Sequence, residues 1–505
     1  MHLTRRKFLK VGGSSAALLA AVGCDQLPRE LRVLYQSPKA VGPFQPPGTA
    51  EIDSMTHVLN RVAFGARPGD YERVRKLGES PAQASAAYIE QQLNPERIVD
   101  EAADFAVRRF ETLSVPLGEL FEYQEELLHN ELMRGTLARA VSSERQLYEV
   151  MVQFWSDHFN IDPSKGDCKW LKVADDREVI RKHALGKFPD MLRASALSPA
   201  MLWYLDGRVN RRANMAEKPN ENYARELLEL HTLGVHGGYT QEDVMEVARC
   251  LTGWTVRSKN QKPYLEIGKV EFKLHQHDGA AKDVLGEKIP AIPERLSKTE
   301  RERLGQKELD RVLEIVTRHP STAKHISAKL CERFIADEPP SSAVKSVADA
   351  FSQSDGDIRA TLRALFATEE FQKQRGNKFK RPFNFIVSAL RATEARTDSG
   401  MEIVDYLRRM GHAPFNYPTP DGYPEPAAPW LGTLLWRWNF ALAVSENNIK
   451  GTKIDFEALQ KNSGGDAGFM AHLLGRQPSP EETQAYHESG AGLALMLASP
   501  AFQRC

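Results

Sequence analysis

From Asp53 onward the chain is written as helix after helix, with start and stop signals that read directly from the residues, and this constrains its fold more than any other feature. Pro68 opens one helical segment, Gly78 closes it, and Ser80 followed by Pro81 opens the next. The stretches Glu119 to Val141 and Ser143 to Phe159 carry apolar residues at helical spacing. A short phrase recurs at three junctions: Ala196-Leu197-Ser198-Pro199, Ala367-Thr368-Glu369-Glu370-Phe371-Gln372 and Ala498-Ser499-Pro500-Ala501-Phe502-Gln503. Each sets a hydroxyl side chain before a first-turn Pro or Glu, where the hydroxyl can accept a bond from a free backbone N–H. The copies lack the fixed period of a solenoid. The expected fold is therefore mainly α, a multi-helix globular body.

One region breaks the helical rhythm and predicts a small β-containing insertion. From Gly268 to His277, Val270, Phe272 and Leu274 alternate with Glu271, Lys273, His275 and His277. That period of two predicts a strand with one buried face and with His275 and His277 on the same polar side. Asp278-Gly279 then makes a turn, Lys282 to Gly286 a loop, and the charge-dense Lys298 to Arg311 a solvated helix. The expected organisation is a signal segment at 1–23, a Pro-rich tether at 24–48 and an N-terminal helical part at 49–253. The insertion and charged segment follow at 254–306, and a C-terminal helical part at 307–505 joins the first in one body.

The first 24 residues read as an export signal. Arg5 and Arg6 precede a short, weakly apolar stretch, the arrangement of a bacterial twin-arginine signal, and Val11 to Gly23 is too short to span a bilayer. Ala21, Val22 and Gly23 before Cys24 look like a lipobox, which predicts a cysteine that is diacylated after cleavage and holds the chain on the periplasmic side of a membrane. Pro28, Pro38, Pro43, Pro46 and Pro47 keep the following segment extended, as a tether would be.

Residues 1–23 hold four of the 67 basic residues and none of the 67 acidic ones, so the exported chain would carry 63 bases against 67 acids. That balance argues against nucleic acid, whose binders show a basic excess. Cys168, Cys250, Cys331 and Cys505 are far apart with no Cys-x-x-Cys, which excludes a zinc knuckle or thioredoxin-type site and fits buried free thiols. No Gly-x-Ser-x-Gly elbow, His-Glu-x-x-His, phosphate loop or dinucleotide glycine pattern is present.

Specific motifs run from His57 to the C-terminus. They are His57-Val58-Leu59-Asn60-Arg61-Val62-Ala63-Phe64-Gly65, Phe154-Trp155-Ser156-Asp157-His158-Phe159-Asn160, Asn220-Glu221-Asn222-Tyr223-Ala224-Arg225-Glu226-Leu227-Leu228-Glu229-Leu230-His231-Thr232-Leu233-Gly234 and Leu251-Thr252-Gly253-Trp254. His277-Asp278 with Lys282 and Leu285-Gly286, and Pro418-Thr419-Pro420-Asp421-Gly422-Tyr423-Pro424, complete the set. On these the chain resembles the bacterial domain of unknown function 1800 family. The resemblance implies an exported, largely helical envelope protein, often encoded beside a second exported family with a sulfatase-like look. It supplies no established activity and no catalytic roles.

The candidate residues therefore rest on their own chemistry. Around Glu226 the polar set Glu221, Asn222, Arg225, Glu226 and Glu229 shares one helix side, and Arg225 with Glu229 can pair across a turn. The set reads either as a solvated face or as the lining of a polar cleft in which Asn222, Arg225 and Glu229 bind and Glu226 acts as acid or base, with His231 at its edge. His275, His277 and Asp278 are candidate ligands for a divalent metal, and His158, Glu226 and Asp278 are candidate catalytic groups or third ligands. Against this stand two solvent-facing strand histidines and a core histidine at 158. Phe415 to Trp438 gathers aromatics among prolines, and Tyr417, Tyr423 and Trp430 either stack on a ligand or cap the core. Two functions follow: a lipid-anchored accessory or binding protein acting with a secreted, sulfatase-like partner, or a metal-dependent hydrolase of envelope or exogenous polymers.

Overall fold

Some helices begin where the sequence places their start, whereas the one expected at Pro68 begins at Asp70 behind Gly69 and the one expected from Ser143 at Gln146. Asp53 accepts the Thr56 N–H at 2.8 Å, and Ser80 forms a reciprocal capping box with Gln83 ahead of Pro81–Gln92. Of the three recurring junctions, Thr368 and Ser499 accept the N–H three residues on, both at 3.2 Å. Ser198 departs from the pattern: its hydroxyl donates instead to Asp175 Oδ1 at 2.6 Å, a buried carboxylate being the stronger acceptor.

In this computed structural model the described residues are 42–212, 214, 216–258 and 264–505. Arg5, Arg6, Cys24 and most of the Pro-rich stretch lie outside them. The structure is 59% helical, and among the described residues 24 α-helices stand against three two-stranded sheets, so helix faces make the core. At its centre runs Pro382–Ala392, all eleven residues buried, packed against Glu125–Ser142 and Leu434–Ser445. Trp155, Phe159, Phe188, Phe334, Phe383 and Phe440 are among its fully buried aromatics. Burial of each such ring contributes about 1.5–3 kcal/mol. The four cysteines are buried and unbridged. No helix among the described residues is long and apolar enough to cross a membrane.

Pro43–Cys505 forms one compact unit. The body takes hold of the chain earlier than the expected boundary at residue 48. Phe44 is buried against the His472 ring and donates its N–H to Asn462 O at 2.9 Å, and Gln477 bonds Pro47 O and Thr49 O. An aromatic able to bury its ring ends the tether where it stands.

The insertion departs from the sequence reading in two places. The strand is only Val270–Phe272, antiparallel to Trp254–Val256 with Trp254 opposite Phe272, and all three of its residues are half-buried. The ladder ends as Lys273 N–H reaches Gly253 O, and Leu274–Gln276 curls into a 3₁₀ turn. His275 and His277 therefore do not share a strand face. The segment expected as a loop is a hairpin, Lys282–Val284 against Glu287–Ile289, turned by Leu285 and Gly286 with φ of 52° and 81°. Two consecutive positive φ values give the turn whose twist suits a two-residue hairpin. A third pair, Arg396–Thr397 with Thr452–Lys453, lies in the C-terminal part.

Candidate functional site

The helix Gln146–His158 presents Asp157 and His158 in its last turn, and the aromatic loop folds over that end. Asn160 Nδ2 donates to Tyr417 O at 2.9 Å and Thr419 O at 2.7 Å, and Tyr204 OH donates to Pro418 O at 2.8 Å. Tyr423 and Trp430 face inward, only 8% and 5% exposed, with the His412 ring 4.5 Å and 4.9 Å from theirs. These two cap the core and offer no open stacking surface. Tyr417 is half-buried, its ring 4.8 Å from that of Tyr423.

Beneath the loop lies a network of ion pairs that joins the loop to two further elements. Arg381 Nη1 donates to Asp157 Oδ2 at 2.8 Å, and its Nη2 stands 3.2 Å from Glu425 Oε1. Arg333 approaches Glu425 at 3.7 Å and donates to the Asn384 amide oxygen at 3.0 Å and 3.1 Å. Burial pushes the Asp157 carboxyl up to about 6; the Glu425 charge adds to this and Arg381 opposes it. Removal from water dominates because a charged group gives up its hydration for only a few fixed partners.

Along the helix Pro320–Phe334, His325, Lys329, Glu332 and Arg333 share one face toward this network. No hydrogen bond or ion pair within 4.0 Å reaches the Lys329 ammonium among the described residues. Burial lowers its pKa, and the nearby carboxylates of Asp157, Glu332, Glu425 and Asp421 only partly offset that. Sequence reasoning missed Lys329, Arg333, Arg381 and Glu425. Polar residues recurring at 325, 329 and 333, on one face of the helix, were the available signal.

Three histidines adjoin the lysine. The His158 ring centroid lies 6.1 Å from that of His231 and 6.4 Å from that of His325, and His158 Nε2 is 3.2 Å from His231 O. Burial drives His158 well below its ordinary value, His231 to about 3 and His325 to about 4, with the Lys329 charge acting in the same direction. All three are neutral at pH 7. His231, expected at the edge of the apolar side, is fully buried in a π turn at Leu227–His231, and among the described residues neither ring nitrogen has a hydrogen-bond partner.

The helix before that turn divides its polar residues. Asn222 Nδ2 bonds Leu205 O at 3.1 Å and fixes the chain, while Arg225 is shared among Glu221 at 3.2 Å, Glu229 at 3.4 Å and Gln241 at 2.7 Å. Glu226 is half-buried, and burial together with the Glu229 and Asp421 charges raises its carboxyl pKa. Asp421 is an electrostatic neighbour of both Glu226 and Lys329, and of the candidates Glu226 and His158 only His158 feels the Lys329 charge directly.

Two of the remaining candidates, His277 and Asp278, lie in a separate buried centre. Lys282 Nζ meets Glu308 Oε2 at 2.6 Å, and His277 turns Nε2 toward the same carboxylate at 3.5 Å while Nδ1 faces Thr252 O at 2.9 Å. Arg212 at 2.5 Å and Arg249 at 2.7 Å both hold Asp278. Burial favours the neutral Asp278 carboxyl, but the Arg249 bond, the Ala280 N–H and the Lys282 charge keep it well below the usual range. His275 is exposed and turned away. A carboxylate held by two guanidiniums and an imidazole bonded within the fold do not suit a divalent metal, and no three His, Cys, Asp or Glu among the described residues are arranged to hold one. Glu308 comes from the helix Lys298–Arg318, whose first turns were expected as a solvated face.

Neither the curated proteins nor the solved structures include a match to this chain. The family profile described as a protein of unknown function (DUF1800) matches residues 57–504, which takes in the aromatic loop, the Lys329 helix and the insertion. The chain thus belongs to the DUF1800 family.

Proposed function

We propose that this chain is an exported cell-envelope protein, lipid-anchored through Cys24, that binds an anionic group at Lys329 and acts with a second exported, sulfatase-like protein. One observation carries the binding step: no carboxylate among the described residues pairs with the Lys329 amine within 4.0 Å, while the neighbouring arginines are already paired to Asp157 and Glu425. A carboxylate, sulfate or phosphate arriving there would pair with a cation whose desolvation folding has already imposed. The neutral histidines leave Lys329 as the group that answers to the ligand's charge.

Calorimetric titration with inorganic sulfate, inorganic phosphate and a polyuronate tests this directly. Lys329→Met is expected to weaken binding at least tenfold, about 1.4 kcal/mol, and Lys329→Arg to retain it. No heat with any of the three would end the reading. Export and anchoring have their own readout: Cys24→Ser should move the protein from the membrane to the soluble periplasmic fraction, and replacing both Arg5 and Arg6 with Lys should block export.

A second reading is favoured by the opposite displacements of two pKa values, Asp157 upward and Lys329 downward. Groups moved toward neutrality in this way suit general acid–base hydrolysis of an envelope polymer. Turnover abolished by Asp157→Asn would support it, and binding without turnover would leave the first reading in place.

A further inference from the structure

Three of the nine exposed large apolar side chains among the described residues stand within five positions: Leu431 at 54%, Leu434 at 52% and Leu435 at 65% exposure. With half-buried Trp438 they fall at i, i+3, i+4 and i+7, one stripe along the 3₁₀ turn Ala428–Thr433 and the helix Leu434–Ser445 that continues it. The adjoining face of this helix is already core: Phe440, Ala441 and Val444 are buried, and Arg437 is locked by Gln503 Oε1 at 2.6 Å and Lys380 O at 2.7 Å. The helix is thus apolar over a wide arc and covered on only part of it. Such a helix is ordinarily buried throughout.

We propose that this leucine ridge lies on the lipid surface to which the chain is tethered. The reading rests on the Cys24 anchor for where the protein sits, and two features choose lipid as the occupant. The first is the length of chain between anchor and body. Nineteen residues separate Cys24 from Phe44, the first of the described residues with a hydrogen bond to the body. Fully extended they reach about 65 Å, so a bilayer is the apolar phase always within range. The second is the make-up of the ridge, in which leucines project outward with Trp438 beside them. Arg409 stacks its guanidinium 4.6 Å from the ring of Trp436, which lies on the same helix as Trp438. Leu, Trp and Arg in that order are what an in-plane amphipathic helix presents at the headgroup level. The ridge orients the body, turning a loose tether into a fixed approach to the membrane.

The test uses residues 43–505, which form a compact unit and lack Cys24. Flotation with vesicles of phosphatidylethanolamine and phosphatidylglycerol should carry the body upward. The L434D/L435D variant should float on the order of tenfold less with its urea unfolding midpoint unchanged. A body that stays at the bottom with vesicles, or a variant that floats as well as the parent, overturns the proposal. So does a dimer in analytical ultracentrifugation that Leu435→Asp disperses, since a second copy would then cover the ridge. None of these outcomes alters labelling of Cys24 by radioactive palmitate, so failure of the ridge and failure of the anchor are read separately.

Discussion

Gly422 lies directly on the backbone of Asp157: a Cβ at residue 422 would stand 2.0 Å from the Asp157 carbonyl oxygen and 2.7 Å from its carbon. With a φ of +73°, Gly422 lets the Pro418–Pro424 motif close over the end of the helix that carries Asp157 and His158. Because the obstacle is backbone, no side chain can swing aside. Gly422→Ala is expected to cost about 2–5 kcal/mol, strain and overlap together. Gly411, with a φ of +72° and nothing within 4 Å of an added Cβ, isolates the strain; Gly411→Ala should cost about 1 kcal/mol. Urea unfolding of the two variants measures the difference, and equal losses would mean that the loop can lift off Asp157.

Asp157 makes stability depend on pH in a direction unusual for an ion-paired aspartate. Its pKa in the fold, about 6, lies above the ordinary 3.8. The stability it contributes is therefore fully present below 3.8 and lost as pH rises through 6. Asp157→Asn does not titrate. Relative to the parent, the variant should become more stable between pH 4 and pH 7, by up to about 3 kcal/mol and less to the extent that the 18% exposed side chain keeps its hydration. A constant difference across that range would place the Asp157 pKa at its ordinary value.

The helical body was legible because capping and apolar spacing are local, as at Asp53, Ser80 and Thr368. The site was less so. Arg381 reaches Asp157 across 224 positions, and no spacing rule spans that distance. The motifs containing Asp157 and Glu226 lead to the part of the fold described above, yet Lys329 stood in none of them. In the insertion the alternation was real but outran the strand, since Thr252 draws His277 inward and ends the ladder at Lys273. Residues 254–290 therefore gave the correct class of structure and a false pairing of His275 with His277.

Acid should unfold this protein abruptly. His57 and His231 are held at about 3 and His325 at about 4, and His158 and His412 also lie well below the ordinary 6.5, in every case chiefly by burial. A depressed histidine contributes stability that is present above 6.5 and lost as pH falls toward its value in the fold. Each costs about 1.4 kcal/mol per pH unit in that window, so five together remove roughly 5–7 kcal/mol per unit, comparable with the whole stability of a domain. Asp157 acts in the opposite sense with a single proton. Circular dichroism in urea should show the midpoint collapsing between pH 6 and pH 5, and a midpoint unchanged down to pH 4.5 would contradict the burial of these rings.

Lys282 and Glu308 set the last expectation, because both side chains are nearly or fully out of solvent, at 0% and 5% exposure, with His277 beside them at 0%. Lys282→Met leaves the Glu308 charge uncompensated inside the fold, at a cost of about 3–5 kcal/mol. The double variant Lys282→Met with Glu308→Leu should recover most of that loss, since two apolar residues of similar volume need no partner. His277→Ala removes a ring packed 5.2 Å from Phe272 and bonded to Thr252, and should lower stability by about 2–4 kcal/mol. A histidine serving as a metal ligand gives the reverse pattern: bound metal is lost while the unfolding midpoint of the metal-free protein stays where it was. Urea titration beside metal analysis by mass spectrometry on the same preparations distinguishes the two, and a His277→Ala protein as stable as the parent would return the residue to the list of ligands.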